Sequence, residues 1–352
     1  MRTIEVDLAA IRSNYQLLKN TFAPAKVMAV VKANAYGHGM LQVAKALESA
    51  GVDALGVADI QEAISLRMAG VNSRIVCWLL LPSDLELAAD HDIEVGISTF
   101  EQLAAVNDKN KIHIKLDTGL GRNGFAAGDL NRLVDELAGR DVVGVFSHLS
   151  NTSEAEDRAQ KEKFDRAVEK IKSSGIGIGE RHLAASAASM SYSDFHYEMV
   201  RCGIAVYGLN PYEEQELPLQ LVPAMRLLAK LVNVKKVAAG QGVSYGYRYV
   251  TDRPTTLGLV PVGYGDGMPR ISVGHQVLIA SKLYPVVGRV AMDQFVVDLG
   301  GDEISIGTEV VIFGSASKGE PTAEQLGESS QSINYEIVTR IGGRANRVYL
   351  NR

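Results

Sequence analysis

The chain of 352 residues carries two cysteines, Cys77 and Cys202, and one tryptophan. Two thiols are too few for a disulfide framework, and both lie in apolar strand-like runs, which reads as buried, reduced cysteines. Positive charge is not in excess either: Lys+Arg 36 against Asp+Glu 41 gives a net charge of −5. That balance offers nothing to neutralise a phosphate backbone, so no nucleic-acid partner is expected. The longest apolar run, 75–81, falls far short of the roughly 20 residues a membrane-spanning helix needs. Glu5 and Asp7 interrupt the place where a signal peptide would need its apolar core. No membrane partner and a cytoplasmic location are therefore expected. With 46% hydrophobic and 22% charged residues, the composition excludes disorder and fits a globular protein. Tyr 13 outnumbers Phe 8, and a phenol is an aromatic that also carries a proton.

Along the first two-thirds, β-rich runs at 27–31, 54–57, 75–80, 94–97, 111–116, 142–149, 182–186 and 199–207 are expected as strands. Amphipathic segments at 40–50, 60–69, 100–106, 129–138 and 156–171 alternate with them, and Gly51, Gly70, Gly139 and Gly175 are placed as helix stops. Strands alternating with helices give parallel βαβ units, and runs apolar on both faces fit a sheet covered by helices. The expected fold class is therefore α/β. An eight-fold βα barrel is the simplest closure, with an open doubly wound sheet as the alternative. After Pro223 the helical periodicity stops. Short runs at 227–237, 255–262, 277–279, 284–287, 294–298 and 309–313, punctuated by Gly and Pro, predict a mainly-β domain. Helices are expected at 323–328 and, finishing the chain, at 333–340. The expected division is a barrel at 1–225 and a β domain at 226–352; the early run 3–8 fits as a strand in either.

In a βα barrel the active site lies at the C-terminal ends of the strands. Lys32 follows the first run, and apolar walls around a lysine disfavour its charged form, which makes a Schiff-base amine. Taken alone, a strand-end lysine is more often simply solvated. After the fifth run, KLDTGLGRNGF brings Lys115, Asp117 and Arg122; its glycines at 119, 121 and 124 are a weak anion-nest signal, and Arg122 suits a carboxylate. The sixth run ends at His148, and the seventh region gives His182 and then Ser186 at a helix start. The eighth gives Arg201, followed by Gly203 and Ile204, where barrel phosphate sites recur. A strand-end lysine beside a phosphate site suggests pyridoxal 5′-phosphate (PLP).

AVVKANAYGHG, KLDTGLGRNGF, HLAASAAS, VRCGIAVYGL, VSYGYRY, PVGYGDGMPR and VGRVAMDQ together resemble, in order, the landmarks of the PLP-dependent alanine racemases. The resemblance implies a homodimer of two-domain subunits with an N-terminal eight-fold barrel. It implies that Lys32 holds PLP and acts as one base. Tyr245, reaching in from the partner subunit, is the other, with the lysine working on the D-enantiomer and the tyrosine on the L-enantiomer. His148, Arg201 and His182 would form a hydrogen-bonded chain, with Arg201 facing the pyridine nitrogen. Tyr36, Ser186, the amides of Gly203 and Ile204, and Tyr335 would hold the phosphate. Arg122 and the amide of Met292 of the other subunit would hold the substrate carboxylate. Lys115, carbamylated in several relatives, would orient Arg122, while Tyr264 and Asp293 would guard the entrance. The implied role is supplying D-alanine for peptidoglycan. Ala185 departs from members that carry Asn there. Cys202, between Arg201 and Gly203, reads as an apolar filler or as an oxidation-sensitive position. The alternatives are a racemase of serine or broader specificity, a PLP-dependent decarboxylase, and a non-catalytic PLP carrier.

Overall fold

Strand β1 (Arg2–Asp7) leads through the helix Leu8–Phe22 into eight strands that line up in one parallel sheet. They are β2 (Lys26–Val30), β3 (Ala54–Asp59), β4 (Ile75–Leu79), β5 (Glu94–Ile97), β6 (Ile112–Lys115), β7 (Val142–Phe146), β8 (Ile178–His182) and β9 (Met199–Cys202). The sheet runs β8-β7-β6-β5-β4-β3-β2-β9. It curls until Ala185 bridges Arg201 in parallel, which closes the eight-fold barrel and rules out the open doubly wound sheet. The structure is a computed structural model that describes residues 1–352 except Glu213, Glu214 and Val273.

Side-chain alternation explains both faces of the barrel wall. In β6, Ile112 and Ile114 are fully buried in the main core, while His113 and Lys115 point the other way into the barrel. Inside, Met28, Ala54, Val76 and Met199 form a separate apolar layer under Trp78. The expected helices form at Met40–Ser49, Ile60–Met68, Phe100–Ala105, Leu130–Leu137 and Glu154–Ser173, and the four stop glycines all take positive φ. The helix Leu8–Phe22 lies outside the expected segments. Its signals are nonetheless ordinary: Asp7 accepts from the amides of Ala9 and Ala10, and Leu8, Ile11, Tyr15, Leu18 and Phe22 repeat along one buried face.

Two expected positions are corrected. The seventh strand is Ile178–His182 rather than 182–186, because its sequence, IGERH, is polar. Glu180 and Arg181 are ion-paired with Lys26 and Glu198, which a search for apolar runs passes over. The chain also does not finish on a helix. After Asn334–Arg340 it continues into a final strand, Asn346–Leu350.

The second sheet contains β10 (Met225–Lys230), β11 (Asn233–Val237), β14 (Thr255–Val260), β15 (Gln276–Ile279), β16 (Lys282–Val287), β17 (Phe295–Gly300), β18 (Glu309–Phe313) and β19 (Asn346–Leu350). A small hairpin of β12 (Gly242–Val243) and β13 (Tyr249–Val250) stands beside it. The expected run 227–237 is thus two strands, broken after Lys230. Its order is β11-β14-β17-β16-β15-β18-β10-β1-β19, so β1 pairs antiparallel to β10 and parallel to β19. The N-terminal run therefore joins the C-terminal sheet and ties the two halves together.

The C-terminal segment also presses on the loop that follows β2. Gly39 has φ +100, and a Cβ there would lie 1.9 Å from the Tyr349 hydroxyl. Gly39→Ala is expected to lower stability by about 3 kcal/mol, from overpacking and a left-handed backbone. Combining it with Tyr349→Phe should recover part of that loss in urea denaturation, since the clashing hydroxyl is gone. An absence of any recovery would place the strain in the backbone alone.

Candidate active site

The C-terminal ends of the barrel strands enclose a cavity of about 750 Å³ reached by Lys32, Tyr36, Lys115, Arg122, His148, Ser186, Arg201 and Tyr335. Lys32 sits where β2 gives way to a turn of unusual hand. Ala33, Asn34, Ala35 and Tyr36 all have φ between 51° and 55°. Left-handed helical backbone costs roughly 1–2 kcal/mol per residue outside glycine, so this turn must be held by its surroundings. Glu62 accepts from the amides of Ala33 (2.6 Å) and Ala58 (2.8 Å). Asn34 Oδ1 accepts from the Met40 amide, and the buried His38 donates through Nδ1 to the carbonyls of Ala35 and Tyr36. Burial pushes the Lys32 ammonium below its usual range, and the guanidiniums of Arg122 and Arg201 act in the same direction.

Arg201 is 6% exposed and lies beside no carboxylate among the described residues. Burial brings its guanidinium down to about 10. Nη1 donates to the carbonyl and Nδ1 of His182, and Nη2 donates to the carbonyls of Ser147 (2.7 Å) and Leu183 (3.0 Å) and to His148 Nδ1 (3.2 Å). Nε has no acceptor among the described residues and is the donor left for the cavity. Because arginine only donates, His148 Nδ1 must accept, and its Nε2 then carries the proton. Burial, with the cations around it, brings His148 down to about 3, so the ring is neutral.

On the opposite wall Lys115 donates to Asn123 Oδ1 and lies 5.7 Å from the Phe146 ring centre. Burial and the neighbouring Arg122 bring it down to about 8. Arg122 itself makes no ion pair among the described residues and is exposed to the cavity. The glycines of its loop are not an anion nest: the amides of Gly119 and Gly121 both donate to Asp117 Oδ1. At the other end of the cavity, Ser186 opens the helix Ser186–Ser191 with no side-chain cap from Ala185, and its Oγ accepts from the Gly203 amide (3.0 Å). A Cβ at residue 203 would lie 2.3 Å from the Tyr36 hydroxyl, so glycine is what lets that phenol approach. Tyr335 packs 6.2 Å from Tyr36. Cys202 is fully buried behind this wall, and its thiol is pushed up to about 12, which leaves an apolar filler and not a redox site.

A lysine of depressed basicity, an unpaired guanidinium and a polar cradle now share one barrel mouth, and comparison with known proteins says which barrel this is. Residues 6–211 match the family model for the alanine racemase N-terminal domain, and 224–349 match that for the C-terminal domain. The chain belongs to the alanine racemase family. It is 43% identical to an alanine racemase of Thermobifida fusca over 98% of this chain and 96% of that one. The crystal structure of alanine racemase from D-cycloserine-producing Streptomyces lavendulae has a TM-score of 0.96, at 43% identity over 100% of this chain and 97% of that one. Alanine racemase from Streptomyces coelicolor also has a TM-score of 0.96, at 41% identity over 100% and 98%.

Of the residues that the alanine racemase resemblance points to, His182 stands behind Arg201 and does not line this cavity, and neither do Tyr245, Tyr264, Met292 and Asp293, which belong to the second domain. These four sit together on the C-terminal domain. The connection between β16 and β17 receives Ser244 Oγ on the Arg289 carbonyl, and the amides of Tyr264 and Gly265 on the carbonyls of Ala291 and Met292. Asp293 is paired with Arg344. Tyr245 is 68% exposed and Met292 55%, with Tyr247, Val250 and Ile271 also exposed on this domain.

Sequence reading missed His113, Glu94 and Arg74. His182 Nε2 lies 2.9 Å from His113 Nδ1, His113 Nε2 lies 2.8 Å from Glu94 Oε2, and Arg74 Nε donates to Glu94 Oε1 at 2.7 Å. Their signal is period-two alternation: in KIHIK the isoleucines face the helices, so His113 shares the inward face with Lys115.

Two predictions follow from this geometry. Ala33→Gly should raise stability by about 0.5–1 kcal/mol in urea unfolding, the relief of left-handed strain outweighing the added freedom of the unfolded chain; a loss would show that the turn is unstrained. Burial alone would raise the Glu94 carboxyl, but hydrogen bonds from His113 and Arg74 outweigh it and hold it at about 2, against an ordinary 4.5. Below 4.5 the unfolded chain therefore binds the extra proton first. The stability contributed by Glu94 is complete above about 4.5 and drains away as pH falls toward 2. Glu94→Gln should flatten that acid limb of the unfolding midpoint, whereas parallel curves would exclude the coupling.

Proposed function

We propose that this protein interconverts L-alanine and D-alanine with PLP, by a two-base mechanism in a site shared between two subunits. The observation that carries the reading is the pairing of one incomplete cavity with one displaced cluster. Lys32 and Arg122 occupy a barrel mouth whose lining tyrosines among the described residues, Tyr36 and Tyr335, belong to the phosphate end in this reading, while Tyr245 stands exposed on the other domain. An exposed aromatic and apolar group of this kind marks a contact surface, and a second copy in two-fold symmetry would offer it to the partner's cavity.

The residues present fit PLP. Lys32 supplies an amine of lowered basicity to tether it, and Tyr36, Ser186, Gly203, Ile204 and Tyr335 stand where its phosphate would be held. The space left by glycine at 203, which a Cβ would fill, supports that cradle. Arg201 Nε is the donor aimed at the cavity, and His148 carries the neighbouring Nε2 proton. When bound, PLP would withdraw electrons from the substrate and so acidify its α C–H bond.

The chain's own groups then divide the work. Arg122, without a carboxylate partner among the described residues, forks onto the substrate carboxylate, and Met292 of the partner subunit adds its amide. The Lys32 amine is uncharged more readily than a solvated lysine, so it can take or return the α-proton on one face. Tyr245 of the partner subunit serves the other face. Lys115, at about 8, has a neutral fraction at physiological pH, which supports carbamylation beside Arg122. Tyr264 and Asp293 border the entrance from the partner. The D-alanine formed would serve peptidoglycan.

The test is α-deuterium exchange and loss of optical rotation with L-alanine in D2O, combined with subunit mixing. Lys32→Ala and Tyr245→Phe proteins should each be inactive in the L-to-D direction. Reassociated in equal amounts, they should recover about a quarter of the wild-type sites, since half the dimers are mixed and each has one intact site. Mixtures as inactive as the parents would place Tyr245 in its own subunit's cavity or outside the mechanism. Carbon dioxide release without exchange would instead indicate a decarboxylase.

A further inference from the structure

The hydrogen bonds around Arg201 do not stop at His182. They continue through His113 to Glu94, then through Arg74 to Glu180 and Lys26. The line runs down the inside of the barrel from the cavity to the far end of the strands. Each member down to Glu94 is buried, with His113 fully so and His182 at 1% exposure.

Donor and acceptor chemistry fixes every proton in this line, starting from Arg201. Arg201 can only donate, so His182 Nδ1 accepts. His182 is held far below its usual range by burial and is neutral, so its single proton sits on Nε2 and points at His113 Nδ1. At the far end, the ionised Glu94 can only accept, so His113 presents Nε2–H to it, and the Nε2–H of His182 makes His113 Nδ1 the acceptor. Every proton points from Arg201 toward Glu94.

We infer that His182, His113 and Glu94 form a proton lock that pins Arg201 as a permanent donor with its Nε turned to the cavity. One extra proton on either ring would set two N–H groups face to face, and one fewer would leave two lone pairs opposed. Such a line does not conduct, because a shift along it would require Arg201 to give up a proton. It also supplies a counter-charge to Arg201, which has no carboxylate beside it among the described residues. A carboxylate in direct contact would lower the positive potential at the cavity, whereas Glu94, two imidazoles away, supports the guanidinium without standing beside it.

The fold makes room for the lock. A Cβ at residue 144 would lie 2.1 Å from His113 Nδ1, so Gly144 on β7 opens the slot for that ring. Phe146, two residues along, stacks on His182 at 4.8 Å with an interplanar angle of 3°. Arg74 fixes Glu94 from below while its other nitrogen holds Glu180. His113 and Glu94 are thus positioning residues. Their consequence for turnover rests on the racemase reading, but the tautomers do not.

The experiment uses the full-length protein labelled with ¹⁵N-histidine and reads ring tautomers by long-range ¹H–¹⁵N correlation, beside racemisation in both directions. The wild type should show Nε2–H on both His113 and His182. Glu94→Gln removes the charge at nearly constant shape, and Gly144→Ala displaces the His113 ring without touching a charge. Both should lose the single Nε2–H tautomer of His113. Both should also lower kcat by about 10- to 100-fold, the scale seen when outer-shell partners are removed, with KM for alanine within about twofold because Arg122 is untouched. An Nδ1–H ring in the wild type overturns the lock whatever the activity. A variant that loses the tautomer and keeps full kcat overturns its role. A wild type with both Nε2–H rings and no racemisation overturns the activity proposed above and leaves the lock standing.

Discussion

Arg201 buries a positive charge in the barrel wall with no carboxylate at its side among the described residues, and much of the structure can be traced to what that requires. An isolated buried ion costs several kcal/mol unless its hydrogen bonds are met. Here five acceptors on two neighbouring segments meet them, with carbonyls at Ser147, His182 and Leu183 and ring nitrogens at His148 and His182. The same residue closes the barrel, since its amide donates to the Ala184 carbonyl at the seam where β8 and β9 form no ladder. Fold closure and the chemistry of the cavity floor therefore meet at one residue, whose backbone amide serves the first and whose side chain serves the second.

The neighbouring strand, β2, leads into a turn that depends on strain. A turn of left-handed backbone after Lys32 is stable only because Glu62, Asn34 and His38 satisfy its polar groups, and because the C-terminal segment lies against it. The N-terminal strand has crossed into the C-terminal sheet, and the last strand lies beside it. The position of Lys32 thus depends on both ends of the chain. Strain of this kind is a common property of functional turns, and here the second domain supplies part of the restraint.

The barrel was legible in outline because a parallel sheet writes itself as apolar runs between amphipathic helices. Seven of its strands overlap the expected runs substantially. The eighth, Ile178–His182, was displaced because ion pairs occupy its outward and inward faces. The helix Leu8–Phe22 and the final strand Asn346–Leu350 were overlooked, the latter because it alternates polar with half-buried residues at a sheet edge. Of the candidate site, the positions at strand ends could be collected because barrel topology brings those ends together. His113, Glu94 and Arg74 could not be found that way, since they lie mid-barrel, where only alternation distinguishes an inward side chain from an outward one.

The sequence by itself determined the two-part organisation, the α/β and mainly-β classes, and the motifs that place the chain in its family, because these follow from local periodicity and from short contiguous runs. Tertiary structure decided the rest. It chose the closed barrel over the open sheet, assigned the first strand to the second sheet, and showed that Tyr245 and Met292 stand apart from the cavity beside Lys32. It also set the direction of every proton between Arg201 and Glu94. That last property depends on donors and acceptors from four different strands meeting within hydrogen-bond distance, and no stretch of sequence contains it.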